Sequence, residues 1–239
     1  MKLQRIVFLL LSAAVLWCIA APEAGTAASA PSEIAESCRD IALTFDDGPR
    51  ADTTGKLLDG LKARGVHATF FLIGNQIDAN AALVQRMKAE GHQVGNHTWD
   101  HTKLQGTSTY VLAQEVAKTN AKLCSLLGSG DYWVRPPYGL LDQRQKTLFS
   151  VPLVKWSVDP EDWRLKNADR DVRAVLAKAQ PGDIILMHDS VPASVDAALR
   201  IVDALQAKGY VFVTVRELLS DSGLTPQAGV MYYSAQRCS

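Results

Sequence analysis

Beyond its first thirty residues the chain alternates short apolar runs of strand length with longer segments in which apolar positions recur every three or four residues. That alternation is expected of successive βα units around a parallel sheet. The runs predict strands at residues 41–45, 67–73, 92–96, 132–135, 153–158, 183–187 and 210–213. Between them the periodicity predicts helices at 53–64, 81–90, 108–127, 141–149, 170–179 and 193–208, with 215–219 closing the chain. Gly65, Gly91 and Gly209 follow helical runs at the point where a left-handed residue commonly ends a helix. About seven βα units in this order predict an α/β fold of the distorted barrel type, in a single domain over residues 36–239. A doubly wound open sheet shares the pattern, because periodicity does not report closure. No Gly/Ser linker or charge block divides the domain.

The first thirty residues read differently. Lys2 and Arg5 precede an apolar run, residues 6–21, that carries no charge, and small residues follow to Ala30. Residues 1–30 are therefore expected to be a signal peptide, cut after Ala28 or Ala30, rather than a permanent anchor. The uncleaved-anchor alternative is weakened by a run near the short limit for spanning a bilayer. Trp17 before Cys18 argues against lipid modification. An exported protein, periplasmic or extracellular and without a stable membrane anchor, is expected. Such a location would allow Cys38 and Cys238 to form a disulfide, whereas Cys124, beside Leu123, Leu126 and Leu127, is expected to be a buried, inert thiol.

Composition narrows the function classes. With 47% hydrophobic, 21% charged and 7% aromatic residues the chain is neither disordered, collagen-like nor a polytopic membrane protein. Lys plus Arg and Asp plus Glu each number 25, so no nucleic-acid partner is expected. A monomer is expected.

Unusual polar residues follow directly on the predicted strands. Asp46 and Asp47 follow Phe45, His97 follows Asn96, Arg135 ends the fourth strand, Asp159 follows Val158 and His188 follows Met187. Parallel strands place those ends on one rim, where α/β folds carry their active sites. His97 and His101, four residues apart, can reach one metal ion from a helical turn or a tight loop. Asp46 and Asp47 are adjacent, and their side chains diverge where the strand turns at Gly48-Pro49. One carboxylate can then ligate while the other does acid–base work; a helix cap and an aspartate turn are the structural alternatives.

Thr44-Phe45-Asp46-Asp47-Gly48-Pro49 and His97-Thr98-Trp99-Asp100-His101 resemble the first two motifs of the polysaccharide deacetylases, the NodB-homology family of carbohydrate esterases. Arg135-Pro136-Pro137-Tyr138-Gly139, Asp159-Pro160-Glu161-Asp162-Trp163 and Ile185-Leu186-Met187-His188 resemble the third, fourth and fifth, in order. The resemblance runs from about Ile41 to Val215.

The resemblance implies a metal held by Asp47, His97 and His101. Zinc is the first choice, and mixed nitrogen and oxygen ligands also admit cobalt, nickel or manganese. It implies that Asp46 is the general base, oriented and kept ionised by Arg135, and that His188 is the general acid. Asp162 is the better family match for the partner of His188; Asp159, nearer the strand end, is the rival. The Tyr138 backbone N–H is implied to stabilise the oxyanion. Pro137, Tyr138, Trp163 and Leu186 are implied to bind substrate, the last two around the acetyl methyl. The implied function is a metal-dependent deacetylase of N-acetylglucosamine-containing glycans, peptidoglycan or chitin oligosaccharides. A xylan O-acetyl esterase and a glycan-binding protein without turnover are the rivals. Loops 102–107 and 164–169 are the expected further glycan contacts; His67 and His92 begin strands at the opposite rim and stay outside the site.

Overall fold

The computed structural model describes residues 39–235; the expected leader, Cys38, Cys238 and their bridge lie outside that range. In chain order the elements are β1 (Asp40–Gly48), α1 (Thr54–Ala63), β2 (Thr69–Leu72), α2 (Ala81–Ala89), β3 (Gln93–Asn96), α3 (Thr109–Leu127), α4 (Gln143–Lys146) and β4 (Leu153–Val154). They continue with α5 (Asp162–Leu165), α6 (Ala168–Lys178), β5 (Ile184–His188), α7 (Pro192–Gln206), β6 (Val211–Phe212), α8 (Val215–Asp221) and β7 (Met231–Tyr232).

β1 is the central strand, parallel to β2 on one side and β5 on the other, and β2 continues to β3. β6 joins the start of β1 at Asp40 and Ile41. Single parallel bridges carry the circuit onward from Asn96 to Val134 and from Val134 to Leu153, and Val158 bridges back to Ile185 of β5. The sheet is therefore a distorted barrel, with continuous ladders on one side and isolated bridges on the other. Proline explains the difference. Pro136 and Pro137 follow Val134, Pro152 precedes Leu153 and Pro160 follows Val158, and each removes a backbone donor from the ladder.

The strand expected over 132–135 consequently shrinks to one bridging residue, and that over 153–158 to β4 plus the bridge at Val158. The helix expected over 141–149 is the single turn α4, opened by a capping box at Asp142. β7, which pairs in parallel with β4, and α5 have no counterpart in the sequence reading.

Alternation along β1 sets the layers. Ile41, Leu43 and Phe45 pack with Leu57, Leu58 and Leu61 of α1 and with Ala198, Ile201 and Val202 of α7. Burying one such side chain contributes roughly 1.5–3 kcal/mol. Ala42, on the other face, packs with Phe71, Trp133, Val154, Ile184 and the α8 residues Leu218 and Leu219. Thr44 and Asp46 share that second face, so the polar ladder of β1 points to where Arg135 stands. Cys124 corrects its expectation and is exposed: on α3 the core takes Leu123 and Leu127, four apart, and Cys124 sits about 100° further round the helix.

Candidate active site

β1 runs three residues beyond its expected end, so Asp46 and Asp47 lie within the strand rather than after it. The β1–β2 register shifts between Asp46 and Gly48, a bulge in which Asp47 adopts φ 71°. Strict alternation would send neighbouring side chains to opposite faces; the bulge re-aims one, and both carboxylates line a single pocket.

His97 follows β3, and the loop to His101 turns through left-handed backbone at Thr98 (φ 69°) and His101 (φ 65°). Two carboxyl or amide groups hold it. Asn96 Oδ1 accepts from Thr98 N at 2.7 Å, and Glu115 Oε2, from the buried face of α3, accepts from Trp99 N and Asp100 N at 3.0 and 3.1 Å. Glu115 has no counterpart in the sequence reading, since one acid on an amphipathic helix gives no signal of its own. Backbone strain of this kind gathers at functional sites and persists only where surroundings enforce it.

His97 Nδ1 lies 2.7 Å from the Arg135 carbonyl oxygen. That contact places the proton on Nδ1 and leaves the Nε2 lone pair facing the aspartates. Asp47 Oδ1 is 3.6 Å from His97 Nε2 and 3.5 Å from His101 Nε2, and it is buried with no hydrogen-bond partner. Ligand atoms 2.0–2.2 Å from a tetrahedral zinc stand about 3.3–3.6 Å apart, so the donor set and its spacing fit a divalent ion. Burial, with His97 adding to it, lowers the pKa of His101 and keeps that imidazole neutral.

Asp46 is 3% exposed and Arg135 not at all. Arg135 Nη1 donates to Asp46 Oδ1 at 2.7 Å and to Thr44 Oγ1 at 2.8 Å, and Nη2 donates to the Lys155 carbonyl at 2.8 Å. Phe71 stacks on the guanidinium with its centroid 4.2 Å away. Burial pushes the Asp46 carboxyl upward, but the charges of Arg135, His97 and His188 outweigh it and hold the pKa below the ordinary value. Burial also lowers the Arg135 pKa, from so high a starting point that the guanidinium stays cationic.

Asp162 and Asp159 have different tasks. Asp162, fully buried at the start of α5, accepts from His188 N through Oδ2 and pairs with His188 Nδ1 through Oδ1, both at 2.8 Å. Asp159 accepts from Glu161 N at 2.7 Å and lines the pocket. Burial lowers the His188 pKa, but the Asp162 hydrogen bond and charge, with Asp46 and Asp47 behind them, outweigh that and raise it to about 9.

A pocket of about 350 Å³ unites Asp46, Asp47, His97, His101, Tyr138, Trp156, Asp159, Trp163, Leu186 and His188. Tyr138, at φ 60°, is 58% exposed, with its ring edge-on to His101 at 4.8 Å. Pro137 is buried and does not line the pocket; its place is the first position of the turn that presents Tyr138. Loops 102–107 and 164–169 do not line it either. Trp156 gives no signal of its own in the sequence, since a tryptophan inside the strand expected over 153–158 looks like core. His67 and His92 line a separate hollow with Lys62 and Glu90.

Asp189 is also absent from the sequence reading. It is fully buried and takes a 2.5 Å hydrogen bond from Thr54 Oγ1, which in turn accepts from Arg50 N. Burial, the main cause, raises its pKa to about 7. A Cβ on Gly48 would run into the Asp189 carboxylate, so glycine lets the β1 turn seat against the residue that follows β5. Gly48→Ala is expected to cost about 1–3 kcal/mol by overpacking, read as a lowered thermal midpoint. Adding Asp189→Ala should recover part of that cost; strictly additive losses would show that the contact is not felt.

A distorted (β/α) barrel whose rim gathers these groups around a sugar-sized pocket is the NodB-homology fold. The profile of the family described as polysaccharide deacetylase matches residues 33–150. The chain is 40% identical over 202 residues to the peptidoglycan-N-acetylglucosamine deacetylase PgdA of Listeria monocytogenes serotype 1/2a, covering 83% of this chain and 42% of that one. It thus spans about two fifths of that relative's length. It is 35% identical over 189 residues to a chitooligosaccharide deacetylase of Rhizobium leguminosarum bv. trifolii, covering 72% of this chain and 88% of that one. Among solved structures, a family 4 acetyl xylan esterase from Clostridium thermocellum in complex with a cobalt ion superposes with a TM-score of 0.78 at 32% identity, covering 82% of this chain and 98% of that one. The chain belongs to the polysaccharide deacetylase family.

Proposed function

We propose that the chain is an exported, metal-dependent N-deacetylase that removes acetyl groups from N-acetylglucosamine-containing glycans, peptidoglycan or chitin oligosaccharides. The observation that carries this reading is the shared pocket: a buried, ionised carboxylate (Asp46) and a carboxylate-backed imidazole (His188) face the same 350 Å³ space as Asp47, His97 and His101. Binding alone would need neither a base nor an acid.

Asp47, His97 and His101 would hold the divalent ion, zinc by first choice, which supplies Lewis acidity to the acetyl carbonyl and to water. Asp46 takes the proton from the attacking water. The Tyr138 N–H donates to the oxygen on which negative charge develops. His188 gives its proton to the amide nitrogen as the C–N bond breaks, releasing acetate and a glucosamine residue. Trp163 and Leu186 enclose the methyl group. The domain is residues 36–239 after removal of a leader, acting as a monomer in the periplasm or outside the cell. Cys38 and Cys238 are proposed to join there.

An O-acetyl esterase activity is the second reading, favoured by the likeness to the acetyl xylan esterase. The test is acetate release from peptidoglycan, chitin oligomers and acetylxylan by protein stripped of metal, before and after zinc is returned. Release is expected to fall to background on chelation and to return with zinc, fastest on an N-acetylated glycan. Faster release from acetylxylan would support the esterase; no release from any glycan with metal bound stoichiometrically would overturn both readings in favour of a binding protein.

A further inference from the structure

Lys155 is tied to the site through its backbone, because its carbonyl accepts from Arg135 Nη2. A Cβ on Gly139, the neighbour of Tyr138, would come within 2.6 Å of Lys155 Cε and 3.0 Å of the Trp156 ring. Lys155 Nζ lies 5.7 Å from the Trp156 ring centroid and 5.4 Å from that of Tyr233, which is 47% exposed. Two aromatic faces thus hold an ammonium in place beside the pocket, which Trp156 itself lines. No carboxylate among the described residues pairs with it; among the described lysines Lys62 and Lys122 form ion pairs and the rest, Lys155 included, form none.

A cavity of about 350 Å³ has room for one acetamido sugar, so the next sugar of a polymer would rest outside it. Tyr138 and Trp156, which line the pocket, would offer it apolar surface, and Lys155 a charge with three donors. We propose that Lys155, framed by Trp156 and Tyr233, is a subsite for a carboxylate borne by the sugar next to the acetylated one, which selects an anionic glycan over a neutral one. The inference rests on the deacetylase reading and narrows its substrate to the class that carries lactyl or peptide carboxylates, as peptidoglycan does and chitin does not. The aromatic frame orders the lysine before the ligand arrives and so reduces the entropy lost on binding.

The probes are a tetrasaccharide of alternating N-acetylglucosamine and N-acetylmuramic acid with free lactyl carboxylates, and chitotetraose, which has the same length and no charge. Binding is followed by tryptophan fluorescence in full-length Asp46→Asn protein, and acetate release in the protein with Asp46 intact. Lys155→Gln is expected to weaken binding of the anionic probe about five- to tenfold and to raise its KM by a similar factor, with less than twofold change for chitotetraose. Lys155→Arg should restore most of the difference, and 0.5 M salt (about 4 Å Debye length) should shrink it. Equal weakening for both probes would mean a structural role and overturn the inference, as would no change for the anionic probe. Lys155-dependent binding without acetate release from either probe would uphold the subsite and sink the deacetylase reading. Release from both, insensitive to Lys155, would do the reverse, and failure to bind either probe would overturn the subsite.

Discussion

Asp46→Asn is expected to lower kcat for acetate release by about two to four orders of magnitude, the usual contribution of a positioned acid or base, while stoichiometric zinc binding persists. The carboxylate sits 2.7 Å from Arg135 Nη1 and 3.6 Å from His97 Nε2, so it lies beside the candidate ligands without belonging to their cluster of Asp47, His97 and His101. Its lowered pKa keeps it ionised at any pH where the enzyme would work, and asparagine removes that basicity while preserving an oxygen for Arg135. The variant also leaves a buried guanidinium without its counter-charge, which can cost about 3–5 kcal/mol of stability. Thermal unfolding and metal content must therefore be measured alongside the rate. Folded protein that holds zinc and has lost the rate identifies a base; folded protein that has lost zinc identifies a ligand. A rate within tenfold of the parent would sink the assignment.

What the sequence made legible follows from where the physics is local. The order of βα units and the rim position of Asp46, His97, Arg135 and His188 are readable because each polar residue directly follows an apolar run. The separation of Asp162 from Asp159 was not, because it depends on α5, one turn whose left-handed flanks at Glu161 (φ 57°) and Lys166 (φ 49°) leave no periodic trace. The bulge at Asp47 was also hidden, since only the β1–β2 register shows that two adjacent aspartates face one space. Closure was hidden for the same reason: the bridges at Val134 and Val158 join residues far apart in the chain. Glu115, Trp156 and Asp189 act through contacts across the fold, and each taken alone reads as an ordinary surface acid, a core ring or a strand-end acid.

His188→Ala is expected to lower kcat on an acetamide by about two to four orders of magnitude and to cost much less on an acetate ester. The amine must be protonated as it departs, whereas an alkoxide leaves more readily unaided; equal damage on both substrates would remove His188 from the role of acid. Asp162 is expected to set the pH range of that role. His188 must carry its proton in order to donate it, and a pKa raised to about 9 keeps it charged through neutral pH, so the rate should fall on the alkaline side. A dication held by Asp47, His97 and His101 would repel the imidazolium and would bring that fall below 9. Asp162→Asn removes the hydrogen bond and charge that raise the pKa and leaves burial, which lowers it. The alkaline limb should therefore move to lower pH, and activity at pH 8 should drop more than activity at pH 6. The same linkage acts on folding: the stability that the pair contributes is fully present below the ordinary histidine value of 6.5 and is lost as pH rises through about 9. An Asp162→Asn enzyme whose pH–rate profile keeps the parent's alkaline limb would show that the carboxylate only positions the ring and does not hold its proton.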